Sequence, residues 1–304
     1  MHRRDVLKSV AFAATGAGIA TASTVLAKDT AAKTPRSSYF ETADGTNLFY
    51  RDWGTGKPVV FIHSWAANSD MWQYQMIHLA GNNLRCIAYD RRGHGRSSDP
   101  DRGYEFDTLA DDLAKLIDHL NLRDVVLVGH SMAGGEIVRY LTRHGATRVA
   151  RIVLLAPTTP FILKTADNPG GIDKNFFDQV RSVWAKDFPK WLADNTPPFF
   201  NPETSRETMQ WGINMALQSS LKALMECNHA VTETDFRAEM LKITVPTLII
   251  HGDADRSALI DLTGRKSAKL ILGCQFKLYE GAPHGLFITH MDRLNRDLVA
   301  FIKG

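Results

Sequence analysis

The sequence predicts an α/β fold: a mostly parallel, eight-stranded sheet flanked by helices and interrupted by one helical insertion. Three observations predict it. Short Val/Ile/Leu-rich runs alternate with amphipathic helical patterns. All but the first two runs barely alternate apolar with polar residues, as strands buried on both faces should. Between Pro157 and about Met240 the alternation stops, and proline- and aromatic-rich sequence takes its place. A chain of 304 residues, 44% hydrophobic and 23% charged, has enough apolar material for one large core with an insertion.

The first two strands, Ser38–Ala43 and Asn47–Trp53, are joined by Asp44-Gly45, a hairpin signal, so the sheet begins antiparallel. Further strands are expected at Pro58–Ile62, Arg85–Tyr89, Val125–Val128, Arg151–Leu155, Thr247–Ile250 and Gln275–Tyr279. Helical patterns fall at Met71–Ala80, Thr108–His119, Gly134–His144, Leu259–Lys269 and Leu286–Ile302. The second of these puts Leu109, Leu113, Leu116, Ile117 and Leu120 on one stripe. The core is therefore read as 38–156 plus 241–304, and 157–240 as a helical cap over the carboxyl ends of the strands. The cap holds Phe176, Phe177, Trp184, Trp191, Phe199, Phe200 and Trp211. Most of these rings are expected to pack within the cap, and a few to line an apolar substrate pocket.

Charge excludes one class of partner. Of the formal net charge of +3, Arg3, Arg4 and Lys8 against Asp5 supply +2, leaving +1 for the body, which is no footprint for nucleic acid. Residues 1–27 have a basic start, an apolar Ala/Gly/Thr-rich stretch from Val10 and a small-residue end at Ala27. That is export-signal grammar, and Arg3-Arg4 resembles the twin-arginine type. The expectation is cleavage after Ala27, a disordered lead-in over 28–37, passage through the twin-arginine export machinery, and a periplasmic or secreted protein. An uncleaved membrane anchor fits less well, because glycines, serines and threonines make a poor lipid-facing helix. Cys86, Cys227 and Cys274 are odd in number and form no C-x-x-C, so no disulfide is expected; Cys86 sits in a strand run, where a buried thiol fits best.

The chemistry centres on "DVVLVGHSMAGGEIVRYL", Asp124 to Leu141. It reads as a strand, a serine at a sharp corner, and a helix, the context of a nucleophile elbow. The positions two before and two after the serine approach closely, so the motif demands small residues there. Gly129 and Ala133 supply them, and Gly134 and Gly135 ease the helix against the sheet. A serine that merely capped a helix would not explain the paired small residues behind a strand.

A serine hydroxyl needs a base, and the base an orienting acid. With chain order Ser, acid, His, the downstream strand ends "PTLIIHGDADR" and "KLYEGAPHGLF" offer both. His284, on a sharp loop after the last strand, is the expected base. Asp255 is preferred as the acid; Asp253, nearer the strand, is the alternative and suits a loop-holding role. The oxyanion that forms on attack needs two main-chain N–H groups: Met132, directly after the serine, and Trp65, on the loop after the third strand. Removing one such donor typically costs about 2.7–4 kcal/mol. No His/Cys cluster has metal-ligand spacing, so neither metal nor cofactor is expected.

From about Phe40 to Lys303 the chain resembles the α/β-hydrolase superfamily, and more narrowly the cofactor-free (non-heme) haloperoxidases and aryl esterases. The stretches that carry the resemblance are "YDRRGHGRSS" (Tyr89–Ser98), "ADDL" (Ala110–Leu113), "GHSMAGGEIVRY" (Gly129–Tyr140), "ETDF" (Glu233–Phe236), "VPTLIIHGDADR" (Val245–Arg256) and "GAPHGL" (Gly281–Leu286). The resemblance implies Asp255 as the acid, Trp65 and Met132 as oxyanion donors, and Arg91, His94 and Ser97 as loop architecture. It also marks departures: Ala133 for glycine, Ser64 and Ala66 in place of the Gly and Pro of His-Gly-Trp-Pro, and Ala258-Leu259 for Val-Pro. Proline after the tryptophan goes with good peracid formation, so Ala66 weakens that activity.

The expected function is cleavage of small or aromatic carboxylic esters through an acyl-enzyme. One alternative is perhydrolase or haloperoxidase activity, with hydrogen peroxide accepting the same acyl group. Another is a non-catalytic ligand-binding protein on a hydrolase scaffold. Ser131 argues against dehalogenases and epoxide hydrolases, which use an aspartate nucleophile. The partner is a small ester or acyl substrate, and whether the chain forms a homo-oligomer is left open.

Overall fold

Asp44-Gly45 turns the chain as its chemistry dictates. Gly45 takes φ 84, a left-handed conformation open to glycine, and Asp44 Oδ1 accepts from the Thr46 N–H at 3.2 Å. The turn pairs β1 (Tyr39–Glu41) antiparallel with β2 (Asn47–Trp53), Tyr39 opposite Phe49. The structure is a computed structural model and describes residues 38–304. The expected signal (1–27) and lead-in (28–37) lie outside the described residues.

Six more strands complete the sheet: β3 (Lys57–Ile62), β4 (Leu84–Tyr89), β5 (Val125–His130), β6 (Val149–Leu155), β7 (Thr247–Gly252) and β8 (Gln275–Tyr279). Their order is β1-β2-β4-β3-β5-β6-β7-β8. β2 runs antiparallel to β4, and every later pairing is parallel. The carboxyl ends of β3, β5, β7 and β8 therefore share one edge, on both sides of the point where the strand order reverses. β5 and β7 are buried along their whole length. β8 departs from the expected two-sided burial. Among the described residues it lies at the sheet edge, paired with β7 alone, and Gln275 and Lys277 reach solvent.

Helices α1 (Gln73–Ala80), α2 (Phe106–His119) and α3 (Ala133–His144) follow β3, β4 and β5. A 3-10 turn over Ser69–Trp72 replaces the start of the first predicted helix. The α2 stripe behaves as its spacing predicts: Leu109, Leu113, Leu116 and Ile117 are fully buried, and Leu120 is half-buried. Between β6 and β7 come α4 (Lys174–Asn195), α5 (Arg206–Ala216), α6 (Leu221–Glu233) and α7 (Arg237–Met240). α4 kinks at Asp187 (φ −159, ψ 76), two residues before Pro189, whose ring cannot follow a regular turn. After β7, α8 (Gly264–Leu270) starts five residues later than predicted. The main-chain N–H groups of Ser257 and Ala258 bond the Asp255 carboxylate, which turns the chain away first. The last helix is two, α9 (Leu286–Thr289) and α10 (Met291–Lys303), broken at His290 with φ −125. The described residues form one compact unit, and no helix among them is long and apolar enough to cross a membrane.

Candidate active site

Ser131 sits between β5 and α3 with φ 59. A serine held there costs about 1–3 kcal/mol, so the turn is enforced by its surroundings. Its N–H donates to Leu155 O of β6 at 2.9 Å, and its carbonyl accepts from Gly134 N–H at 3.0 Å. The helix-capping alternative fails on two counts. A capping serine adopts extended dihedrals, and the cap of α3 is Met132, with no side-chain cap bond. A Cβ on Gly129 would lie 2.7 Å from Ile137 Cδ1 and 3.0 Å from Ala133 Cβ. Position 129 is therefore closed to a side chain, while the single methyl of Ala133 fits. Gly129→Ala is expected to destabilise the protein by about 1–3 kcal/mol in chemical denaturation. An unchanged midpoint would show that the corner is not close-packed.

The carboxyl ends of β7 and β8 bring an acid to an imidazole. His284 Nδ1 lies 2.6 Å from Asp255 Oδ2, and both residues are buried. Asp255 Oδ1 accepts from Ser257 N–H and Ala258 N–H, each at 2.8 Å. His251 Nε2 stands 3.1 Å from Oδ2. Burial alone would raise the Asp255 pKa; the His284 and His251 imidazoles outweigh it and hold the carboxyl far below the usual range. Since a carboxylate only accepts, His284 Nδ1 carries the hydrogen, leaving Nε2 as the lone-pair nitrogen. Asp253 does what its position suggested. It accepts from Gly281 N–H at 2.7 Å and ties the two loops together. His284 is gripped by its main chain too: its carbonyl accepts from His130 Nε2 at 2.9 Å, and the next N–H, of Gly285, donates to Phe199 O at 2.7 Å.

The loop after β3 is held from beneath. Arg91, fully buried, donates to His63 O at 2.9 Å and pairs with Glu136 of α3 at 2.9 Å; Tyr89 also bonds Glu136. His63 Nδ1 is 2.7 Å from Ser64 O, and its Nε2 accepts from the Arg91 N–H at 2.9 Å. Above, the Trp65 indole N–H donates to Leu224 O of α6 at 2.8 Å, and the ring stacks on Trp184 at 4.6 Å. Among the described residues, neither the Trp65 nor the Met132 main-chain N–H is taken by a protein acceptor. Met132 also stands at the positive end of α3.

Ser131, Met132, Trp65 and His284 line one cavity of about 540 Å³ between the sheet edge and the inserted helices. The Ser131 Oγ has no hydrogen-bond partner among the described residues. The aromatic residues of the insertion pack on one another as expected, Trp184 on Trp191, Phe176 on Phe177 and Phe199 on Phe200, but more than a few face the cavity: Phe176, Phe177, Trp184, Trp191, Phe199, Phe200 and Trp211 all line it. The same rings thus serve both as packing between the inserted helices and as the pocket wall. Arg256 is the one formally charged side chain among the lining residues.

A family model for the alpha/beta hydrolase fold matches residues 57–291. The chain belongs to the α/β-hydrolase family. Within that family the hydrolase falls in the non-heme haloperoxidase group. It is 41% identical over 269 residues to a non-heme chloroperoxidase of Kitasatospora aureofaciens, covering 86% of this chain and 98% of the relative. It is 36% identical over 273 residues to a bifunctional esterase/perhydrolase of Acinetobacter calcoaceticus, covering 87% and 99%. The crystal structure of a bromoperoxidase from Bacillus anthracis superposes with TM-score 0.83 at 37% identity, covering 85% of this chain and 96% of that one.

In the hydrolase, Arg91, His94 and Ser97 are loop architecture, as read. Ser97 Oγ accepts from Phe49 N–H at 2.9 Å and donates to Asp90 O at 2.5 Å; His94 Nδ1 lies 2.8 Å from Arg92 O. Sequence reasoning missed three groups that touch the site's supports: His251 on Asp255, His130 beneath His284, and Leu224 O on Trp65. For His251 a signal existed, since "HGDAD" sets it four residues before the acid, at the end of the same strand. Among the described residues no group of His, Cys, Asp or Glu side chains is arranged to hold a metal ion.

Proposed function

We propose that this hydrolase cleaves small or aromatic carboxylic esters through an acyl-enzyme on Ser131, with His284 as base, Asp255 as its orienting acid, and Trp65 and Met132 as oxyanion donors. The observation that carries it is the 2.6 Å Asp255–His284 contact opening on the same apolar cavity as a serine held at φ 59. As substrate seats, Ser131 Oγ closes on His284 Nε2, a contact that commonly tightens only in the reacting complex. His284 takes the hydroxyl proton while Oγ attacks the carbonyl carbon. The oxygen, now negative, turns to the two free N–H groups. The tetrahedral adduct collapses, and His284 passes the proton to the departing alcohol. Water, deprotonated by His284, then releases the acid and restores the serine. The aromatic wall suits aryl and short acyl groups by size and by lack of charge.

The relatives favour a second acceptor. With peroxide in place of water, the same acyl-enzyme yields a peracid, which oxidises halide in solution. Ala66 adopts φ 51, which the ring of proline cannot reach. The loop therefore differs from one carrying proline at this position, which supports water as the better acceptor. In bromination assays with peroxide and acetate, activity is expected to vanish when acetate is omitted. Its rate is expected to stay below that of p-nitrophenyl acetate hydrolysis. Full bromination without a carboxylic acid would overturn the peracid route.

We also infer export by the twin-arginine route, supported by Arg3-Arg4 ahead of the apolar stretch that ends at Ala27. Replacing both arginines by lysine is expected to leave the protein in the cytoplasm on cell fractionation. Unchanged export of that variant would remove this reading.

A further inference from the structure

We infer that His251 is a positioning residue for the acid–base pair: its imidazole shares Asp255 Oδ2 with His284 and fixes which carboxylate oxygen faces the base. The inference rests on the triad reading above. His251 is fully buried on β7, four residues before Asp255. Its Nε2 lies 3.1 Å from Asp255 Oδ2 and 2.9 Å from Ala258 O. Both are acceptors, so Nε2 carries the hydrogen and divides it between them.

The other end of the ring shows that this is more than space-filling. Among the described residues the buried His251 Nδ1 has no hydrogen-bond partner, and the α8 backbone lies flush against it. A Cβ built on Gly264 would stand 2.2 Å from that nitrogen. An unpaired buried nitrogen is costly, and an apolar side chain of similar volume would avoid the cost. The polar ring is explained by what its Nε2 does at the acid.

With His251 present, every strong acceptor direction of Asp255 is used. Oδ1 takes two main-chain N–H groups, and Oδ2 takes two imidazoles at 2.6 Å and 3.1 Å. The carboxylate cannot rotate, and His284 is held in a single orientation. Two donors on one oxygen weaken each other, so His251 also moderates the Asp255–His284 bond. The other titratable or charged groups around this cluster are His130, whose ring lies 4.5 Å from that of His284, and Asp253 and Arg256 on the acid's own loop. None of these donates to Asp255.

The test uses three variants of the full chain. His251→Met removes the donor at similar volume. His251→Asn keeps a polar group too short to reach Oδ2. His251→Gln places an amide N–H near the original Nε2. Two quantities are read: kcat and KM for p-nitrophenyl acetate, and the far-downfield proton NMR resonance of the hydrogen between Asp255 and His284. The Met and Asn variants are expected to lose about ten- to a hundredfold in kcat, the range seen for the analogous outer-shell partners of metal ligands, with KM within about twofold. Their bridging-proton resonance should move further downfield, because Oδ2 now serves one donor. Gln should restore most of both. An unmoved resonance in a folded Met or Asn variant overturns the proposal, as does a Gln variant no better than these two. Asp255→Asn separates the two readings. If it keeps full activity, the triad reading itself fails and takes the proposal with it. If it loses activity while His251→Met changes neither readout, only the role of His251 is lost.

Discussion

Replacing Ser131 with alanine is expected to abolish p-nitrophenyl acetate turnover, lowering kcat by at least about a thousandfold and leaving only the residue that binding and oxyanion donors supply. Among the described hydroxyl residues of the cavity wall, Ser131 alone stands at a left-handed corner. Ser64, Thr158, Thr196, Thr232 and Ser257 also line the cavity but lie off the elbow. Alanine inherits the φ of 59, so its melting temperature should stay close to that of the parent. Glycine tolerates that conformation, so Ser131→Gly should be equally inactive yet more stable by up to about 1 kcal/mol. Ester turnover that survives both substitutions would remove the acyl-enzyme. Labelling of the parent, but not of the variants, by a fluorophosphonate probe gives the same answer by a second route.

Asp255→Asn is the second large effect. An amide in place of the carboxylate turns an NH₂ or a single carbonyl toward donors that require an acceptor, and it favours the wrong His284 tautomer. The expected fall in kcat is about ten thousandfold. Stability should change with pH as well. The folded carboxyl titrates far below its ordinary value because His284 and His251 outweigh the effect of burial. Its contribution is therefore fully present above the ordinary aspartate pKa of about 3.9, and is lost as pH falls through the lower folded value. The stability gap between parent and variant should be constant from neutral pH down to about 5 and close only in strong acid. A gap already closing near pH 6 would mean the carboxylate is not held as the structure places it.

The sheet was legible because its signals are local. Val/Ile/Leu runs such as Val125–Val128 stay buried on both faces, and Asp44-Gly45 codes its own turn. The elbow was legible for the same reason, since Gly129, Ala133 and the φ of Ser131 are all short-range steric matters. Asp255 over Asp253 was harder. Both follow one strand, and the choice depends on where the β8 loop returns, twenty-nine residues later along the chain. Least legible were features set by long-range contact: the Trp65–Leu224 bond between residues 159 apart, and the cavity-lining role of the aromatic insertion. Aromatic rings have no sequence signature that separates packing on a neighbour from facing an open space.

The Trp65–Leu224 bond ties the loop after β3, which carries one proposed oxyanion donor, to the inserted helix α6. On the proposed mechanism, a shift of that helix would move the indole and, with it, the adjoining N–H assigned to the developing alkoxide. Variation in the insertion would then alter turnover along with affinity. On that mechanism, changes of substrate range that keep the rate are those that leave one carbonyl, that of Leu224 in the third inserted helix, where it stands.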